Sequence, residues 1–111
     1  MTTPIPTAAN IFTNLPEAGL HEVFTELLKT EGLSIKRIVS RGQSSPASGW
    51  YDQAENEWVL LLAGAARIAF ETGEEFHLTD GSYLHIPAHV RHRVTWTAPD
   101  VETVWLAIHY S

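Results

Sequence analysis

From Glu57 onward, turn residues break every apolar run before it can grow. Gly64 ends the run Glu57 to Leu62, and Thr72-Gly73 closes Ala65 to Glu71. Thr79-Asp80-Gly81 closes Glu75 to Leu78, and Pro87 ends Tyr83 to Ile86. Ala98-Pro99-Asp100 separates His92 to Thr97 from Thr103 to Tyr110. An amphipathic helix of ordinary length does not fit between such breaks, whereas short strands do. Turn signals at this spacing predict an all-β sandwich or barrel.

The segment Glu22 to Lys29 reads two ways. Val23, Phe24, Leu27 and Leu28 fit one helical face, yet Leu33 to Ser40 is rich in β-branched residues and Thr30-Glu31-Gly32 reads as a hairpin turn. A strand pair is favoured, with a short helix as the alternative. Ahead of it, Met1 to Thr7 carries two prolines and three threonines and is expected to be a loose arm. The division is an arm over residues 1–21 and one barrel domain over 22–111, as the 111-residue length suggests.

Composition narrows the function classes. With 44% hydrophobic and 18% charged residues the chain is globular rather than disordered. A net charge of −6 argues against nucleic acid held through phosphate neutralisation, and against a polybasic membrane anchor. There is no cysteine, so no disulfide framework, cysteine zinc site or thiol nucleophile is available. A metal would have to use His, carboxylate and other oxygen donors. No leader-like segment or membrane-length apolar run is seen, and a cytoplasmic location is the default expectation.

Strand parity assigns faces. Ala66, Ile68 and Phe70 share one side; so do Phe76 and Leu78, and Leu84 and Ile86. That side is the expected barrel interior. Trp58 to Leu62 is apolar on both sides, so its outer face needs cover from the N-terminal segment or a second subunit. A homodimer is the expectation, which a particle of twice the chain mass in light scattering would support. His77 and His85 fall on the outer side by parity and read as surface or interface residues. His109 shares a side with Trp105 and Ala107, and parity leaves open whether that side faces the interior. Arg37 lies among Leu33, Ile35 and Val39, and is expected to reach water rather than serve a buried anion. Arg91 and Arg93 are expected to point outward. Trp96, in step with His92 and Val94, is the aromatic expected in a pocket, while Trp58 and Trp105 read as core or interface.

Two segments resemble the motifs of the cupin superfamily. Glu57 stands the motif distance before Gly64, and Gly81, Pro87 and His92 keep the spacing of the second motif within Gly-Ser-Tyr-Leu-His-Ile-Pro-Ala-His-Val-Arg-His. The resemblance covers about residues 40–110 and implies a single-domain cupin-like double-stranded β-helix, a jelly-roll barrel. Small cupins of this kind are often described as mannose-6-phosphate isomerase-like. The departures are specific. The His-x-His pair is missing, its positions taken by Tyr51 and Gln53 in one spacing or by Trp50 and Asp52 in the other. His89 stands at the second-motif glycine and Trp96 at its asparagine.

The resemblance implies a divalent metal (manganese, iron, zinc or nickel) in the barrel mouth, with Glu57 and His92 as ligands and Gln53 or Asp52 replacing imidazoles. Tyr51, His89, Trp96 and His109 would line the pocket. Without a metal, Glu57 and His92 would satisfy each other as a buried pair. Glu57 could otherwise act as a general base. The expected function is a cupin that binds a divalent metal and a small molecule, possible isomerase chemistry included. The alternative is a non-catalytic ligand-binding or scaffold cupin. No cluster of basic residues suited to a phosphate is evident.

Overall fold

Gly32 turns the first hairpin. Its φ of 78° lies in the left-handed region, which glycine enters without steric cost. The computed structural model describes residues 4–111, so residues 1–3 of the expected arm lie outside the described residues. On either side of Gly32 run β1 (Val23–Thr30) and β2 (Leu33–Ser40), an antiparallel pair and not a helix. The β-branched residues of β2 favour the extended chain, and pairing on its other edge fixes it.

Six further strands follow: β3 (Asn56–Ala63), β4 (Ala65–Phe70), β5 (Glu75–Thr79), β6 (Tyr83–Ile86), β7 (His92–Thr97) and β8 (Thr103–Tyr110). One sheet has the order β1-β2-β8-β3-β6 and the other β5-β4-β7. All pairings are antiparallel. The five-stranded sheet is the wider of the two. No helix among the described residues is long and apolar enough to cross a membrane.

The inner faces of the two sheets supply the core. Val59, Leu61, Ala66, Ile68, Leu78, Ile86, Trp105 and Ala107 form one buried cluster. Each fully buried Val, Leu or Ile side chain in such a cluster contributes roughly 1.5–3 kcal/mol. Trp105 donates its indole N–H to Ser40 Oγ at 3.2 Å, which satisfies the one polar atom that its burial would otherwise strand.

The outer face of the wider sheet meets the N-terminal segment. Arg37 donates to the backbone carbonyl of Ile11 at 2.9 Å and to Thr25 Oγ1 at 3.4 Å, which ties the segment across β2. Ala18, in the same segment, is buried. Farther along the same face Trp58 packs on Tyr83 at a ring separation of 5.5 Å, and His85 stacks on Tyr110 at 6.0 Å. Trp58, Leu60 and Leu62 remain half-buried and Tyr83 is exposed.

Candidate functional site

The site is built on one row of the wide sheet. In the β3–β8 register Glu57 lies opposite His109, and in the β3–β6 register it lies opposite Ile86. Cross-strand partners share a face, so Glu57 and His109 project together into the space between the sheets. His92, the first residue of β7, enters from the opposite sheet and is buried. The loop between β2 and β3 closes the gap. Tyr51 and His92 exchange backbone hydrogen bonds at 2.8 and 3.2 Å, and His89 N–H donates to the Gln53 carbonyl at 2.7 Å. This short extended stretch alternates its side chains. Tyr51 and Gln53 face the cavity, while Trp50 and Asp52 face outward.

Four polar side chains meet at the cavity floor. Gln53 donates its amide N–H to Glu57 Oε1 at 3.2 Å. Its amide oxygen therefore faces His109 Nε2, also at 3.2 Å, and accepts from it. The same Nε2 lies 3.4 Å from Glu57 Oε2. On the other side His92 Nε2 lies 3.3 Å from Glu57 Oε1. His92 Nδ1 faces the Val90 carbonyl at 2.9 Å and must donate to it, because a carbonyl can only accept. With Nε2 also turned to a carboxylate, the network wants His92 as an imidazolium.

The charges follow. Burial alone would push the Glu57 carboxyl up, but the hydrogen bonds of His109 and His92 and the charge beside it win and hold it down at about 2, against an ordinary 4.5. Burial likewise works against a charged His92, but Glu57 and the Val90 carbonyl outweigh it, and its pKa is raised above 6.5. Held so low, Glu57 is a weak general base at neutral pH.

Above this floor lies a cavity of about 340 Å³, within the range of small-molecule sites. Val59, Ile68, Ile86, Val94 and Trp105 give it apolar walls. β1 and β2 add Phe24, Lys36 and Ile38, and Glu22 and Glu55 complete the lining.

Three expected site residues lie elsewhere. Asp52 is on the outside, bound by His89 Nδ1 at 2.7 Å and by Arg91 Nε at 3.2 Å, and these two partners hold its carboxyl below the ordinary range. His89 is exposed with it, in the left-handed conformation at φ 64°, which explains why the family motif has glycine at that place. Trp96 is also outside, with the Arg67 guanidinium 5.5 Å from its ring and His77 against its edge. The cause is a β-bulge. Arg67 pairs with Trp96 but Ile68 pairs with Val94, so Thr95 is the extra residue and parity flips beyond it. Tyr51, Gln53, Glu57, His92 and His109 do come together. Trp105, read as core, is both core and cavity wall. The β1–β2 contribution, with Glu22 and Glu55, was not foreseen. Its sequence signal was parity, since Phe24 shares one face of β1 with Glu26, and Lys36 shares one face of β2 with Ile38.

A metal ion does not fit these side chains as they stand. His109 Nε2 is turned to the Gln53 amide oxygen, His92 turns Nε2 to Glu57 and Nδ1 to the Val90 carbonyl, and Gln53 spends its amide on neighbours. Among the described residues no group of three His, Asp or Glu side chains is arranged to hold a metal ion.

Comparison with known proteins agrees with this architecture. The cupin domain profile matches residues 38–109. A solved protein from Ralstonia eutropha JMP134, proposed to be a mannose-6-phosphate isomerase, is 43% identical and superposes with a TM-score of 0.90 over 96% of this chain and 99% of its own. A cupin superfamily protein from Desulfitobacterium hafniense DCB-2 is 18% identical, with a TM-score of 0.77 over 96% of this chain and 93% of its own. A Streptococcus pyogenes protein of unknown function is 15% identical, with a TM-score of 0.76 over 98% of this chain and 90% of its own. These last two speak for the fold alone. No curated protein matches the chain. The profile match over most of the chain, the Ralstonia relative and the two antiparallel sheets together make this chain a member of the cupin domain family.

Proposed function

We propose that this cupin binds a small molecule in its barrel without a resident metal, by offering the ligand a fixed carboxylate and its donors at the bottom of an apolar cavity. The observation that carries this reading is the closed network around Glu57, in which Gln53 and His92 attend one oxygen and His109 the other. A charge buried in this way is tolerable because it is paired. It is also preorganised, since none of its partners has to move before a ligand arrives. Two such chains would pair across the outer face of the five-stranded sheet, where Trp58, Leu60, Leu62 and Tyr83 present apolar surface.

A second reading is a metal-dependent isomerase using manganese, iron, zinc or nickel. It is favoured by Glu57 and His92 standing at their motif positions and by the proposed activity of the 43% identical Ralstonia protein. It requires both histidines to surrender their Nε2 protons and Gln53 to turn its oxygen away from His109.

Elemental mass spectrometry separates the two. Protein purified without an affinity tag or chelator, then incubated with each of the four metals and desalted, is expected to retain far less than one ion per chain. Near-stoichiometric metal that disappears in His92→Ala would overturn the metal-free reading.

A further inference from the structure

The carboxylate at the cavity floor is short of one donor. Gln53 and His92 both turn to Glu57 Oε1, at 3.2 and 3.3 Å. Among the described residues Oε2 has a single partner, His109 Nε2 at 3.4 Å. That N–H is shared with the nearer amide oxygen of Gln53, at 3.2 Å. A carboxylate oxygen can accept two hydrogen bonds, and a charged group in a buried site gains most from each one completed. Glu57 lines the cavity and keeps 9% of its surface exposed, so a ligand can reach it from that side.

The same surroundings reject charge of either sign. Of the seven lysines and arginines in the chain, only Lys36 lines the cavity. Its partner in the β1–β2 register is Glu26, on the same face. Arg37 is tied to the Ile11 carbonyl, Arg67 and Arg93 lie over Trp96 and Trp50, and Arg91 is held by Asp52 and Glu71. A phosphate or carboxylate thus finds no guanidinium to receive it. An ammonium brought to Glu57 would lie against the N–H groups of Gln53, His92 and His109, positive end to positive end. The walls beside this floor, Val59, Ile68, Ile86, Val94 and Trp105, ask for an apolar body.

We infer that the ligand is uncharged and largely apolar, and that it carries one O–H or N–H that donates to Glu57 Oε2. This rests on the cavity being a small-molecule site. It also speaks against sugar phosphates as substrates of this chain.

The test uses four probes of nearly one shape: 1-phenylethanol, acetophenone, 1-phenylethylamine and benzoate, titrated calorimetrically near neutral pH. The alcohol is expected to bind at least ~10-fold tighter than the ketone, which can only accept, and tighter than either charged probe. In Glu57→Gln the gap between alcohol and ketone should shrink. A second readout needs no variant: saturating alcohol should move the imidazole nitrogen-15 signals of His109 in the wild-type protein, and the ketone should leave them in place. Acetophenone binding as tightly as the alcohol would overturn the donor to Glu57, and so would His109 signals that ignore the alcohol. The amine or benzoate binding tightest would overturn the uncharged ligand. Each of these leaves the binding site standing, whereas failure of all four probes to bind would overturn both.

Discussion

Replacing Glu57 with glutamine is expected to cost about 3 kcal/mol of stability near pH 6 and to flatten the acid limb of the stability profile. The figure comes from the depression of the Glu57 carboxyl from 4.5 to about 2, at about 1.4 kcal/mol for each unit. A lowered carboxyl pKa means that the folded state prefers the ionised form. Its contribution is complete above the unfolded value of 4.5 and is lost as pH falls toward 2. His92 is shifted the other way. Its contribution is complete below 6.5 and is lost as pH rises through the higher folded value. The Glu57–His92 pair enters both shifts and counts once, while the Glu57 depression also carries the hydrogen bond from His109. The wild-type protein should therefore be most stable between about pH 4.5 and 6.5 and fall off on both sides, whereas Glu57→Gln should vary less. Urea midpoints at acid, intermediate and alkaline pH read this directly. Parallel profiles for the two proteins would show that the pair carries no such energy.

The second large effect lies at the junction of β3 and β4. Gly64 has φ 111°, a conformation that residues with a side chain rarely adopt. A Cβ there would stand 2.4 Å from Thr103 Oγ1 and 2.7 Å from Thr103 Cα. Thr103 cannot yield easily, since it is fully buried and its hydroxyl donates to the Ala65 carbonyl at 3.2 Å. Gly64→Ala is thus expected to incur about 1–3 kcal/mol from the backbone conformation and a further ~1–3 kcal/mol from the clash. Gly73 provides the control. It has nearly the same φ, 112°, but open space where its Cβ would be. Gly73→Ala should cost only the conformational part, and the difference between the two midpoints in thermal or urea unfolding isolates the contact with Thr103. Equal losses in both would mean that the strand junction relaxes around the methyl group.

The Gly64 position also shows why much of the fold could be read from the sequence. Turn residues such as Gly64, Gly73 and Gly81 mark where strands must stop, and between them the alternation of Ala66, Ile68 and Phe70 identifies an inner face. Glu57 and His92 were legible through motif spacing. What surrounds them was less so, for three physical reasons. β8 is apolar on both faces, so parity could not say whether His109 or Ile108 faced inward, and only the register against Glu57 decides it. The bulge at Thr95 breaks alternation, and no residue type announces it, so Trp96 was placed inside when it is outside. The stretch before Glu57 could be aligned in two ways, and the backbone bonds between Tyr51 and His92 select the one that turns Gln53 inward and Asp52 outward.

That choice bears on chemistry as well as geometry. With an imidazole at position 53, the site would offer another nitrogen lone pair to an ion. The amide of Gln53 instead holds Glu57 with one end and His109 with the other. A metal-ligand constellation becomes a closed hydrogen-bond network, and the same carboxylate changes from a ligand into an anchor.

The protonation of the two histidine rings tests this most directly. Nitrogen-15 spectra of the imidazole side chains, recorded below pH 6.5 and across a titration on wild type and on His92→Gln and His109→Gln to assign the signals, report which nitrogens carry protons. The account predicts a His92 ring protonated at both nitrogens, with a titration midpoint above 6.5, and a His109 ring protonated at Nε2. Bare Nε2 atoms on both rings, both turned toward Glu57, would contradict it and would describe a site waiting for a cation.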